Sequence, residues 1–240
     1  MTVGLPVGLP VDLPPAQLPS ASTLPGRTVS LERLTLEHAD GLFACLGGTD
    51  AAHRPLWTYI PDGPYEDVDS FRASLAAKIA SANYFFAVID RRAVVDGTPN
   101  SLFGREVGYI CLMRIEPAHF CVEMGHVLFS PFLQRTVCAS EAVYLLACYA
   151  IDTLGYRRLE WKCDSLNAKS RHAALRYGFA FEGIFRQHLV IRGRNRDTAW
   201  FSILREEWQG SLRGAMEAWL DEANFNENGT QKRRLEEFRK

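Results

Sequence analysis

The feature that most restricts the fold is a change of pattern at Ser130. Upstream of it, three apolar runs follow one another with only short connections: YFFAVIDRR (84–92), EVGYICLMRI (106–115) and HFCVEMGHVLFS (119–130), with turn chemistry at GTPN (97–100). Runs of this length, rich in β-branched and aromatic residues, pair as an antiparallel meander. Downstream the chain alternates helix and strand. SEAVYLLACYAIDTLG (140–155) places Ala142, Leu146, Tyr149 and Thr153 on one helical face and stops at Gly155. YRRLEWKCD (156–164) then alternates as a strand, with Leu159, Trp161 and Cys163 facing one way and Glu160, Lys162 and Asp164 the other. NAKSRHAALRYG (167–178) is a helix opened by Asn167 and closed by Gly178. FAFEGIFRQHLVIRG (179–193) and DTAWFSILREEW (197–208) read as two last strands, joined by a turn around Gly193 and Asn195.

The flanks are plainer. VSLERLTL (29–36) alternates like a first strand, HADGLFACL (38–46) suggests a short helix, and DVDSFRASLAAKIAS (67–81) repeats Phe71, Leu75 and Ile79 at helical spacing behind a cap at Asp67 or Asp69. Residues 3–19 repeat a four-residue unit ending in proline, which removes amide donors and disfavours helix. That segment is an extended tail, or an arm laid across the domain or a partner through Leu5, Leu9 and Leu13. Residues 209–221 read as a helix carrying Met216, Trp219 and Leu220, and the charged C-terminus is expected to fray. The division that results is an arm over 1–27, one domain over 28–222 and a charged tail over 223–240.

A chain of 240 residues with 47% hydrophobic composition supports one substantial core. Its net charge of −1 supplies no basic field for nucleic acid or an anionic membrane. No run approaches the roughly 18 apolar residues that span a bilayer, and the N-terminus lacks a secretory pattern. The six cysteines show no C-x-x-C pair, as expected of reduced thiols in a cytoplasmic protein. The histidines His38, His53, His119, His126 and His172 form no ligand-spaced cluster, so no metal site is expected.

The order of elements, with LGYRRLEWKCDSLNAKSRHAALRYGFAFEGIFRQ and GRNRDTAWFSIL at its joints, resembles the GNAT superfamily of N-acetyltransferases. Within it the chain is similar to the branch that includes the ribosomal-protein alanine acetyltransferases, and the likeness runs from about Val29 to Trp208. The resemblance implies an α/β (α+β) fold with a mixed, mostly antiparallel sheet of six to seven strands, flanked by helices and with splayed central strands. It implies acetyl-CoA as acyl donor and a primary amine as acceptor: a small molecule, an amino-acid conjugate or a protein N-terminus. A degenerate acyl-CoA sensor without turnover is the alternative, and a homodimer is left open.

The family's cofactor loop, Q/R-x-x-G-x-G/A before a helix, brings backbone amides and a helix N-terminus to a pyrophosphate. Here it reads Gln134, Arg135, Thr136, Val137, Cys138, Ala139, with valine at the central glycine position. Arg135 and the hydroxyls of Thr136 and Ser140 are the groups expected to compensate. Cys138 is read chiefly as a small buried thiol. In this fold, backbone of Val127, Leu128 and Phe129 lines the gap that takes the pantetheine arm, with one amide there acting as an oxyanion donor.

Ser170 matches the serine that this branch places beside the cofactor sulfur, where a hydroxyl stabilises or protonates the departing thiolate. Asn167 caps its helix or bonds the pantetheine amides. The position one turn beyond Ser170, often tyrosine in the superfamily, is Ala174. Glu123 and His188 are the candidate bases. Asp197 either orients the amine or pairs with Arg194 or Arg196. Trp57, Tyr59 and Trp200 are read as acceptor-pocket walls or as core.

Overall fold

The computed structural model describes residues 7–95, 97–226 and 229–239. Ten strands are present among them: Thr23–Pro25 (β1), Val29–Arg33 (β2), Tyr84–Asp90 (β3), Val94–Val95 (β4), Thr98–Pro99 (β5), Glu106–Glu116 (β6), Cys121–Phe129 (β7), Arg158–Asp164 (β8), Ala180–Ile191 (β9) and Arg194–Leu204 (β10). Eight form one sheet in the order β1-β2-β3-β6-β7-β8-β10-β9, and β4 pairs with β5 in a separate ribbon. Every neighbouring pair is antiparallel except β7 and β8, which run parallel. The expected meander is therefore present as β3, β6 and β7.

Helices Ala39–Leu46 (α1) and Val68–Ala80 (α2) cover one face of the sheet, where Leu42, Leu46, Phe71 and Leu75 pack against Phe85 and Tyr109. Val137–Cys148 (α3) and the helix Arg213–Leu220 belong to the core on the other face, with Ala168–Tyr177 (α4) packed near β8 and β9. The caps are those the sequence offers. Asp67 accepts the Ser70 amide at 2.7 Å, Asn167 accepts the Ser170 amide at 3.1 Å, and Gly178 closes α4 at φ 96°.

Four elements differ from expectation. The sheet has eight strands rather than six to seven, because Thr23–Pro25, inside the segment read as an arm, pairs with β2. The turn between them is held by Glu141, whose carboxylate accepts the amides of Arg27, Thr28 and Val29 at 2.8, 2.6 and 3.2 Å. Helix α3 begins at Val137 rather than Ser140, since the Thr136 side chain caps it. Strand β10 stops at Leu204 because the Glu207 carboxylate accepts the Leu204 amide at 2.8 Å and turns the chain into a helix. The charged tail is anchored rather than frayed: Leu235 is fully buried, and Asn224 accepts the Arg233 amide at 3.0 Å. At the other end, Leu5 lies outside the described residues and Leu9 is exposed. Contact with the domain starts at the buried Ala16, and the Tyr149 hydroxyl accepts the amides of Ser20 and Ala21 at 2.8 and 2.9 Å.

Candidate active site

The parallel ladder between β7 and β8 is short. It pairs Cys121 with Arg158 and ends at Met124 with Trp161, although β7 continues to Phe129 and β8 to Asp164. Beyond that last pair the two strands splay, as expected, and the β8-facing backbone of Gly125–Phe129 has no ladder partner. A bulge accompanies the opening: Tyr109 pairs with Leu128 and Cys111 with Gly125, so Ile110 alone faces His126 and Val127. His126 takes φ 46° to absorb the extra residue. The bulge re-aims the Val127 region at the point where the gap opens.

At the far end of β7 lies the loop to α3. Gln134 donates from Nε2 to the Phe129 carbonyl at 2.8 Å, and Arg135 carries the left-handed conformation at φ 63°. Val137 is the first residue of α3, so the position needs no glycine for its dihedrals. The hydroxyls expected to meet phosphate are engaged elsewhere. Thr136 donates to the Leu133 carbonyl at 2.7 Å and accepts the Ala139 amide at 3.4 Å. Ser140 is buried and accepts from the Arg176 guanidinium at 2.9 Å. Cys138 is fully buried, its thiol 3.7 Å from the Thr28 carbonyl, and Ala139 is buried beside it. What this loop offers an anion is main chain: Val137 and Cys138 sit in the first turn, where amides have no helical carbonyl behind them.

The splayed edge and this helix start fit acetyl-CoA by the chemistry of their donors: unpaired backbone for an arm that carries amides, and free amides at a helix N-terminus for its phosphates. Arg135, on the same loop, is the cation the loop contributes.

On the α4 side of the opening, Ser170 lies in the first turn of α4 and is half-buried. Its Oγ accepts a hydrogen bond from the indole of Trp161 at 2.9 Å. An oxygen whose lone pair is taken by a fixed N–H keeps its own proton for donation. Trp161 is held against Tyr177 and Phe179, with ring centroids 6.3 and 5.5 Å away.

The opposite face of the gap is ionic. Glu123, 3% exposed, receives Arg114 at 2.6 Å and the Lys162 ammonium at 2.9 Å, both on Oε2. Lys162 also contacts Glu160 at 2.6 Å and lies 3.8 Å above the Trp200 ring. Glu160 continues to Arg158 at 2.8 Å, and Arg158 to Glu182 through two bonds of 2.6 Å. Burial alone would raise the Glu160 carboxyl, but hydrogen bonds and charge from Lys162 and Arg158 hold it below its ordinary value.

The remaining expected residues fall into three places. His188 and Trp200 share the ionic face with Phe185. The His188 Nδ1 is 3.0 Å from the Thr198 hydroxyl, and Phe185 packs 4.5 Å from Trp200. Tyr59, 38% exposed, donates its hydroxyl to the Leu166 carbonyl at 3.2 Å, bridging the α1–α2 connection to the loop before α4. Trp57 is core: it is 1% exposed, donates to the Leu46 carbonyl at 2.9 Å and packs against Tyr65 and Phe71. Asp197 pairs with neither Arg194 nor Arg196; it accepts the Gln187 amide at 2.7 Å and the Asn195 side chain at 3.0 Å, fixing the hairpin where Gln187 has φ 49°.

Sequence reasoning passed over Lys162, Trp161, Arg114 and Arg192. The first two lie in the alternating strand 156–164, but Lys162 meets Glu123 because β7 lies alongside β8, and Trp161 meets Ser170 because α4 packs back near β8. Arg192, at the β9–β10 tip, donates to the Ile60 carbonyl at 2.8 Å and the Pro61 carbonyl at 3.3 Å, so the hairpin holds the α1–α2 connection. No local pattern signals that contact.

Comparison with known proteins agrees with this architecture. Residues 28–180 match the family model described as an acetyltransferase (GNAT) domain. A crystal structure of a GCN5-related N-acetyltransferase from Brucella melitensis superposes with TM-score 0.86 at 41% identity, covering 94% of this chain and 97% of that one. A probable GNAT-family acetyltransferase from Chromobacterium violaceum gives TM-score 0.73 at 37% identity over 86% and 98%. A putative ribosomal N-acetyltransferase from Bacillus subtilis, YdaF, is 29% identical over 107 residues, which is 45% of this chain and only 58% of that relative. No helix among the described residues is long and apolar enough to cross a membrane. With residues 28–180 matched by that family model and 94% of the chain covered by a solved relative at 41% identity, the chain belongs to the GNAT family of acetyltransferases.

Proposed function

We propose that the protein transfers an acetyl group from acetyl-CoA directly to a primary amine, without a covalent enzyme intermediate. The observation that carries this reading is the end of the β7–β8 ladder at Met124 and Trp161, with Ser170 fixed by that same tryptophan beside the opening. Acetyl-CoA supplies an activated acyl carbon and a thiolate leaving group.

Arg135 and the first-turn amides of α3 bind the anionic end of the donor, and the free backbone of Gly125–Leu128 pairs with its arm. An amide near Val127 stabilises developing negative charge on the acyl oxygen. Ser170, its oxygen already accepting from Trp161, gives its proton to the departing sulfur. Asn167 caps the helix that carries Ser170 and so fixes its height in the gap. The amine approaches on the face of Trp200, Phe185 and His188, with Tyr59 at its edge and Asp197 holding the hairpin behind it.

An α-amino group near pKa 8 loses its proton for about 1 kcal/mol at neutral pH, against roughly 4–5 kcal/mol for a lysine-type amine. His188 is the proton acceptor best suited to this geometry, because Nδ1 is anchored on Thr198 and Nε2 is left for the amine. Glu123 is the second candidate; both its cations sit on Oε2, and a proton there would displace them.

Titration calorimetry with acetyl-CoA and with CoA, followed by a thiol-release assay on an amine panel, tests the reading. Binding together with amine-dependent thiol release is expected. Binding without release would identify a sensor, and no binding of either thioester or thiol would sink both readings.

A further inference from the structure

A cation of the chain itself, Lys162, is buried on the face over which the amine is proposed to approach. Lys162 is the first β8 residue beyond the last β7–β8 pair, so it stands at the mouth of the gap on the acceptor face. Its side chain is 5% exposed, between carboxylates that are 4% and 11% exposed. The ammonium meets Glu123 at 2.9 Å, Glu160 at 2.6 Å and the face of Trp200 at 3.8 Å. Two carboxylates and an indole face make a recognition set for a primary alkylammonium.

We propose that Lys162 determines the acceptor class by filling this cation position from within the chain, so that the enzyme acetylates monoamines and discriminates against di- and polyamines. This inference rests on the acetyl-transfer reading given above. A second ammonium on the acceptor would need an unpaired carboxylate on this face. Glu123 is taken by Arg114 and Lys162, Glu160 by Lys162 and Arg158, and Glu182 by Arg158 and the Ser202 hydroxyl at 2.6 Å. The three acids and three bases of the ladder cancel. A second cation therefore meets Lys162 as a like charge in a poorly solvated place, where repulsion is weakly screened. The adjoining hairpin carries Arg186, Arg192, Arg194 and Arg196 against one carboxylate, Asp197, which is held by the Gln187 amide and the Asn195 side chain, so its net charge is also positive.

The consequence for a variant is specific. Removing the side chain beyond Cβ of Lys162 deletes the atoms of one propylammonium ion and leaves two buried carboxylates with a cation missing. The test uses full-length wild type and Lys162→Ala, with n-propylammonium chloride as probe and n-propanol as its uncharged control. Thermal unfolding of Lys162→Ala should rise saturably with n-propylammonium and not with n-propanol, while wild type responds to neither. In acetyl-transfer assays, wild type should prefer n-pentylamine over 1,5-diaminopentane by tenfold or more in kcat/KM, and Lys162→Ala should lose or reverse that preference.

A folded Lys162→Ala protein that ignores n-propylammonium would overturn the proposal. So would wild type that uses the diamine as well as the monoamine. Where Lys162→Ala does not fold even with the probe, Lys162→Met combined with Glu123→Gln removes the charges as a pair, and the wild-type amine preference decides. Absence of transfer to any amine would count against the proposed reaction alone, because the propylammonium response is read from stability and needs no turnover.

Discussion

The indole N–H of Trp161 and the hydroxyl oxygen of Ser170 are 2.9 Å apart, at the point where the only parallel strand pair of the described sheet comes apart. The donor comes from the strand and the acceptor from the helix that follows it, so one hydrogen bond ties the proposed acid to the scaffold. Ser170→Ala is expected to lower the acetylation rate about 100-fold with little change in the KM for acetyl-CoA, as for loss of a general acid. Trp161→Phe keeps the packing on Tyr177 and Phe179 but loses the hydrogen bond, and should cost about fivefold in kcat. On the proposed mechanism Trp161 is a positioning residue. The double variant should be no slower than Ser170→Ala, and rate losses that simply multiply would show that the indole works by another route.

His126 sits on the bulge of β7 against the Phe85 ring, with centroids 5.3 Å apart. Burial, followed by the positive charge of Lys78, pushes its imidazole down from 6.5 to about 4. The folded protein thus prefers the neutral ring. Stability from this site is complete above pH 6.5 and is lost as pH falls toward 4, where the unfolded chain takes up the proton first. The loss is on the order of 3 kcal/mol. Asparagine tolerates the positive φ at this position. Denaturant unfolding of wild type and His126→Asn at pH 7 and pH 4.5 should show a much smaller acid loss in the variant, and equal losses would remove His126 as the cause.

Glu141 is 6% exposed and receives three consecutive amides from the β1–β2 turn, together with the Thr28 hydroxyl. Truncation leaves those donors without an acceptor in a dry place. Glu141→Ala should therefore destabilise the protein by about 3 kcal/mol or more, given 1–3 kcal/mol for each buried unsatisfied group. Glu141→Gln, which keeps one acceptor oxygen, should lose less. Urea midpoints at constant m value measure both, and a neutral Glu141→Ala would mean that water replaces the carboxylate there.

Much of the fold was legible because its signals are local. Asp67, Asn167 and Gly178 announce helix ends within a few residues of where they act, and the alternation through Arg158–Asp164 assigns each side chain its face. The limits were also local. The edge strand Thr23–Pro25 was hidden among prolines, since what makes it a strand is an amide-binding carboxylate more than 100 residues away. The loop before α3 departs from the family pattern at Val137, yet that position needs no glycine, because the left-handed residue of the loop is Arg135 and Val137 already opens the helix.

The candidate site divides in the same way. Ser170 enters through the family resemblance and Asn167 as a helix cap, and the cap is present as an acceptor of the Ser170 amide at 3.1 Å. Glu123 is named from sequence as a candidate base on a strand, but without its ionic partners. Its partners follow from the parallel register, Glu123 beside Glu160, which depends on the whole α3 crossover bringing β8 alongside β7. Trp57 and Tyr59 lie two residues apart, yet one is core and the other reaches Leu166, a distinction decided by how the α1–α2 connection folds over Phe71.

The sequence by itself determined the order of strands and helices, the faces of each and the caps that bound them, because these depend on neighbours a few residues apart. Only the tertiary structure decided that Lys162 lies between Glu123 and Glu160 over Trp200, and that Trp161 holds Ser170. Those contacts join segments whose separation in the chain is bridged by pairing and packing, where burial strengthens each charge–charge and hydrogen-bond interaction beyond what any local pattern records.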